Sequence, residues 1–594
     1  MCDVVLSPIE GRHLESRNPE DLQEIIETNR NTNYLLPPVS LPPELLVKVF
    51  RYAVRDNSGT PDQLFPYPWL GITRVCHRWR QVALGAPELW RTIWVTTLDC
   101  TREMLARSQQ MPLIVKGDMN QLARMGQAKY NEILDCILRE LRRIVILDVC
   151  IVEFPMPELE HYPEDALMMM KLVFHSFANP SQRPGGSLVD PLLTYLLNVN
   201  APNLERVKLY LPCIQWKMIR GLVRNTLKIL TLSGDDEKDE EADFVMGDVL
   251  HVLGSLPQLE KLVLRSALPE PPGDPPELVT FPTILPNLRS LTIADTVTSC
   301  ANLLRRTSFP PDVKMSLHCT YRSQRSVPGL VDAIRSGPSF QRYHGTQGNL
   351  SSPPQTIRTL VLRGPDTTDI TQLRAWTTYH SLDQLYSNIR ERLKTPLGDY
   401  LINITLKCET KNHFPALQLV RAFPLDNIET VLLRPAHKWA SKCLEMIALN
   451  NLLFDLPSLR ELDMGRFATP RLPEIIFCSR LDEVDVVLPP STPGEPTQMR
   501  RVLRENLIFP DLSVLGLDMV DVVPGEYMRH DVDHFDGDGD DFLEEIEIAF
   551  DIRRTVCGGK MFDRLVLNNC LRVTDGHAQK FARFANTLVR EEAM

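Results

Sequence analysis

Between residues 41 and 94 the apolar positions fall into short helical runs. Leu41-Pro42-Pro43-Glu44 opens the first, with prolines where a missing N–H costs nothing. Leu45, Leu46, Val49, Phe50 and Ala53 then recur at helical spacing and predict one apolar stripe. After a loop from Asp56 to Pro68, a second helix is expected to carry Leu70, Ile72, Val75, Cys76, Trp79, Val82 and Ala83, with Gly85 as its stop. Ala86-Pro87-Glu88-Leu89-Trp90 starts a further turn, with Ile93 and Trp94 beyond it. An earlier helix is predicted from Asn18-Pro19-Glu20-Asp21, with Leu22, Ile25 and Ile26 on one face. A three-helix module of this size buries only about 60% of its surface. Its large side chains are therefore expected to cover either the next domain or a partner.

Beyond Trp94 helices and short strands alternate. A helix around Arg102–Gln109 leads to Leu113-Ile114-Val115, and one from Gln121 to Arg143 leads to Ile144–Val149. Then one pattern, apolar-Pro-x-Leu-x-x-apolar-x-apolar, recurs. Its copies start Ala201-Pro202-Asn203-Leu204, Leu256-Pro257-Gln258-Leu259, Leu285-Pro286-Asn287-Leu288, Leu456-Pro457-Ser458-Leu459 and Phe509-Pro510-Asp511-Leu512. Chance supplies about one such match or fewer in a chain of this composition. Weaker copies stand at Leu227–Leu232, Ile357–Leu362, Ile428–Leu433, Leu481–Val486, Leu543–Ile548 and Phe562–Leu567. The expectation is an α/β array from 96 to 594, an irregular leucine-rich-repeat solenoid with parallel strands lining a concave sheet. An unrelated α/β domain with many short strands is the alternative. Residues 297–356 carry no strong copy, so a large insertion or a broken register is expected there.

Composition narrows the function classes. The 594 residues hold 47 Pro against 28 Gly, an inverted ranking that implies short elements with stiff joints. The run Leu268 to Pro276 reads as an extended surface loop, and Asp235 to Glu241 as a solvated acidic one. A net charge of −11 disfavours phosphate backbones as partners, so no nucleic acid is expected. No run is long and apolar enough for a membrane span, and Met1 to Val5 does not open a secretory signal. Thirteen Cys without metal-ligand spacing fit reduced thiols, hence a cytoplasmic or nuclear protein.

Leu41-Pro42-Pro43-Glu44-Leu45-Leu46 through Phe50, Val75-Cys76-His77-Arg78-Trp79-Arg80 through Leu84, and Ala86-Pro87-Glu88-Leu89-Trp90 together closely resemble the F-box. The version is similar to that of the large F-box family of mushroom-forming fungi. The resemblance implies a three-helix F-box at 38–95, after an N-terminal helix and linker at 1–37. It further implies docking on the Skp-type adaptor of an SCF ubiquitin ligase, a cullin reached through that adaptor, and a protein substrate held by the remaining chain. By matched position the adaptor-facing residues are Leu41, Pro42, Leu45, Phe50, Val75, Cys76 and Trp79. The loop at 56–69 is longer than in the minimal F-box. Residues 38–95 carry seven Lys/Arg and four Asp/Glu, net +3, leaving −14 elsewhere. An acidic adaptor suits that asymmetry. The alternative is an interaction scaffold that uses the F-box outside any ligase.

Catalytic signatures are absent: no G-x-S-x-G, H-E-x-x-H, G-x-x-x-x-G-K-[ST] or G-x-G-x-x-G occurs. A non-enzymatic protein without cofactor or metal is expected. Asp536-Gly537-Asp538-Gly539-Asp540-Asp541, with Glu547 at the twelfth position, imitates an EF-hand loop but has Asp541 where the sharp turn needs Gly. His318-Cys319 is a pair without a third ligand, and Cys76 reads as mid-helix packing.

Overall fold

A computed structural model describes residues 19–34, 41–56, 67–117, 126–151, 162–176, 191–222, 225–235, 245–270, 282–321, 326–339, 356–363, 370–390, 400–408, 419–434 except 421, 456–465, 509–518 except 510, positions 547, 550, 551, 553 and 554, 562–568, 570 and 575–591. The chain divides into two units, residues 1–227 and 228–594.

In the first unit, α1 (Pro19–Tyr34) leaves Ile26 exposed. Helix α2 (Pro43–Asp56) starts where the Pro42 carbonyl accepts the Leu45 and Leu46 amides at 3.0 and 3.1 Å. The single second helix expected from the apolar spacing is two pieces. Pro68–Arg74 forms a 3-10 turn, closed by the Thr73 hydroxyl on the Leu70 carbonyl at 2.8 Å, and α3 spans His77–Leu84. Cys76 between them is extended, at φ −157°, so it caps α3 and does not lie mid-helix. A 3-10 turn at Pro87–Leu89 leads into β1 (Thr92–Trp94), and α4 (Leu98–Ser108) follows. Next come β2 (Leu113–Lys116), α5 (Gln127–Leu138), β3 (Ile144–Ile151), β4 (Lys171–Ser176), a helix at Pro191–Asn198 and β5 (Arg206–Tyr210). Strands β1 to β5 pair in chain order, all parallel. Buried Leu113, Val115, Leu147, Val149, Leu172, Phe174, Val207 and Leu209 make one face of this ladder its core.

The second unit continues the same alternation. Its strands are β6 (Ile229–Ser233), β7 (Lys261–Arg265), β8 (Thr283–Ile284), β9 (Ser290–Thr296), β10 (Thr307–Ser308) and β11 (Lys314–Tyr321). Beyond them lie β12 (Thr359–Arg363), β13 (Ile370–Trp376), β14 (Ile402–Cys408), β15 (Thr430–Arg434), β16 (Glu461–Gly465), β17 (Val514–Asp518), β18 (Phe562–Asn568) and β19 (Ala585–Glu591). Among the described residues, short β8 and β10 pair only with each other.

Each of the five Pro-x-Leu sites is built alike. The Leu amide donates to the carbonyl three residues back, at 3.2 Å (Leu204 to Ala201), 3.2 Å (Leu259 to Leu256), 3.4 Å (Leu288 to Leu285), 3.3 Å (Leu459 to Leu456) and 3.3 Å (Leu512 to Phe509). All ten of these residues are buried, and a parallel strand succeeds each turn. At two of these sites the residue between Pro and Leu reaches a neighbouring turn: the Asn287 side-chain amide donates to the Pro257 carbonyl at 2.9 Å, and the Ser458 hydroxyl to the Asp426 carbonyl at 2.5 Å.

The described residues between 297 and 339 keep the alternation of helix and strand. Helices at Val297–Arg306 and Val327–Ser336 flank β11, which pairs parallel with β9 over Lys314–Thr320. The same turn precedes it, Val313 N–H to Pro310 carbonyl at 3.3 Å, with Pro and Val standing where the other copies have an apolar residue and Leu. Residues 340–355 lie outside the described ones. The reversal comes at β12–β13–β14. Strand β13 is antiparallel to both neighbours, and the trio enters the sheet in reverse order, β14 against β11 and β12 against β15.

A helix at Leu382–Arg390 then crosses this sheet. Register aligns Val361, Leu432, Asp463, Gly516, Val566 and Val589 in one row. Leu382, Leu385 and Tyr386 pack on that row together with Trp376. Tyr386 donates to the buried Asp463 carboxylate at 2.7 Å, and Glu461 accepts from the Leu382 amide at 2.7 Å and from the Tyr379 hydroxyl. Asp383 pairs with Arg564. Gly516 permits the approach, since a Cβ there would stand 2.6 Å from the Tyr386 hydroxyl. The face of β12–β18 is thereby closed by the chain's own helix.

Candidate docking face

Helix α2 is apolar over more of its circumference than it buries. Leu46 and Phe50 point inward, at 1% and 0% exposure. Leu45, Val49 and Tyr52, at i, i+4 and i+7, form an adjoining stripe exposed at 45%, 47% and 65%. Val75, ahead of α3, is 56% exposed, and Pro42 is exposed as well.

The inner face is cross-braced. Phe50 meets the Trp79 ring edge-on at 5.1 Å, and Trp69 meets Trp90 in the same manner at 5.1 Å. The Trp90 indole N–H donates to the Ala83 carbonyl at 2.8 Å, and Arg78 reaches back to the Leu41 carbonyl at 2.8 Å. Tyr67 is the hidden fastener. Its hydroxyl accepts the Trp94 amide at 2.7 Å and donates to the Trp94 carbonyl at 3.2 Å. Burial pushes the Tyr67 phenol far above its ordinary pKa, so it keeps its proton and serves as donor and acceptor at once. The region is also joined to the strand and helix beyond it: β1 pairs with β2, and Arg107 of α4 stacks over Trp90 at 4.4 Å. Buried Arg143 donates to the Ser108 hydroxyl at 3.0 Å and the Met111 carbonyl at 3.2 Å, holding the end of α4.

Of the residues expected to face an adaptor, Pro42, Leu45 and Val75 are exposed; Leu41, Cys76 and Trp79 are half-buried. Phe50 belongs to the core and not to the surface, because its ring is wholly enclosed between the helices. Cys76 accepts the Trp79 backbone amide on its sulfur at 3.4 Å. Val49 and Tyr52 are the additions. Their spacing with Leu45 is visible in the sequence, but apolar periodicity alone does not say which edge of a wide stripe is buried.

Among the described residues no three His, Cys, Asp or Glu side chains are placed to hold a metal, and no helix is long and apolar enough to cross a membrane. Adjacent on a strand, His318 and Cys319 point to opposite faces; Cys319 is buried while His318 meets the Ser316 hydroxyl at 3.1 Å. Glu547 pairs with Lys580 at 3.1 Å, and Asp536–Asp541 lie outside the described residues.

No curated protein matches the chain. Residues 39–96 match the F-box-like family model, which gives this N-terminal module a role in protein–protein interaction.

Proposed function

We propose that the protein is the substrate-recognition subunit of an SCF-type ubiquitin ligase. The exposed stripe of Leu45, Val49 and Tyr52, with Pro42 and Val75, docks on a Skp-type adaptor, and through it a cullin. The remaining chain, an irregular leucine-rich-repeat solenoid in this reading, holds a protein substrate. The carrying observation is the match at 39–96 falling on a module that leaves these apolar side chains uncovered. The recurring turns and parallel ladders support the repeat reading.

The test uses the full-length chain, since β1 finds its ladder partner in β2, beyond residue 95. Co-purification of wild type should bring both adaptor and cullin. Leu45→Asp with Val49→Asp should lose both while the melting temperature stays within a few degrees, both side chains being exposed. Capture of the adaptor without a cullin would instead favour a scaffold outside the ligase.

A further inference from the structure

The face of β2–β5 opposite that core carries a concentration of positive charge that the docking of an adaptor does not use. Register sets three rows across it. One runs Ile114, Ile146, Lys171, Arg206; the next Lys116, Asp148, Val173, Lys208; the third Cys150, His175, Tyr210. With strands about 4.8 Å apart and alternate residues about 6.6 Å apart, the four cations occupy a strip about 14 Å long and 7 Å wide. The chain as a whole is at −11, so this strip runs against its overall charge.

Its internal compensation is thin. Asp148 is the one carboxylate in the three rows, and no described carboxylate lies within ion-pair distance of Lys116, Lys171, Arg206 or Lys208. The Asp148 carboxyl is nearest the His175 ring nitrogen, 3.7 Å away, and that ring stacks on Tyr210 with centroids 4.4 Å apart. Burial raises the Asp148 carboxyl pKa in spite of the three lysines. Lys171 is lowered, first by burial and then by Lys208, Arg206 and Lys116 after the opposing pull of Asp148. Burial is the first cause of both shifts.

We propose that this face binds an extended acidic peptide segment of a partner protein, its Asp and Glu side chains lying along the Lys116–Lys171–Arg206–Lys208 strip. The charges are spread over three strand spacings rather than converging on one point, and all four stand on strand residues rather than at a helix N-terminus. That layout suits separated carboxylates better than one phosphate. The Tyr210–His175 stack offers an apolar edge for a neighbouring side chain. The inference rests on the proposed function, in which the repeats hold substrate, and it names the chemistry of that substrate.

The experiment measures fluorescence anisotropy of a labelled peptide of alternating Glu and Ser with full-length protein at low salt. Lys171→Gln with Lys208→Gln should weaken binding about tenfold or more, and raised salt should weaken wild type similarly. Asp148→Asn should tighten binding, a gain that a misfolded protein cannot produce. Unchanged affinity in the lysine variant, or no gain in Asp148→Asn, overturns the proposal. So does tighter binding of a singly phosphorylated peptide lacking Glu, or of single-stranded RNA of equal charge. Adaptor and cullin capture on the same samples reports the ligase reading separately: if capture persists while peptide binding is absent, only the acidic-peptide inference fails.

Discussion

Phe50 and Leu45 sit five residues apart on one helix and do opposite work. Phe50 is enclosed against Trp79, so Phe50→Ala should cost about 3–5 kcal/mol of stability by leaving a cavity, read by denaturant unfolding. Leu45→Ala should cost well under about 1 kcal/mol on the same scale, since nearly half of the side chain is already in water. Trp79 separates packing from polarity. Its indole N–H is enclosed without an acceptor among the described residues, so Trp79→Phe should be far milder than Trp79→Ala. Asp148 gives a pH signature. Its folded-state pKa lies above the unfolded value, so the folded state binds the proton more tightly, and its contribution to stability falls as pH rises from about 4 through the raised pKa. The stability that Asp148→Asn gains at neutral pH should therefore shrink as the pH is lowered toward 4, measured by urea unfolding across that range.

At the scale of elements, the strap at Leu382–Arg390 depends on polar contacts as much as on apolar ones. Tyr386→Phe should cost about 1–3 kcal/mol, because it takes a hydrogen-bond donor from a buried carboxylate. Gly516→Ala places a methyl group against the Tyr386 hydroxyl and should loosen the helix. Faster hydrogen exchange at the Leu382 amide, now bonded to Glu461, is the expected readout. Neither the strap nor the reversed β13 is legible in the sequence. Leu382 and Leu385 have ordinary helical spacing, and strand direction leaves no trace in a two-residue period. The Pro-x-Leu turns are legible because each position repeats one physical task, a buried Leu behind a hydrogen-bonded corner. The copy before β11 is hidden because Pro310 and Val313 perform that task with different side chains. At the docking face the sequence locates the helices and their apolar residues. It does not locate the helix break at Cys76, or the enclosure of Phe50, which depends on Trp79 far along the chain.

For the molecule as a whole, two faces are set apart by what covers them. The apolar stripe of α2 is uncovered within a module matching the F-box-like family, while the row from Val361 to Val589 is packed by the helix at Leu382–Arg390. The central claim remains that α2 docks on an adaptor. It is tested most directly by titration calorimetry of a Skp-type adaptor against full-length wild type and the Leu45→Asp, Val49→Asp variant. Docking through α2 predicts measurable binding by wild type and at least a thirtyfold loss, about 2 kcal/mol, in a variant that melts at nearly the same temperature. Equal affinity of the two proteins, or no binding by the folded wild type, would contradict it.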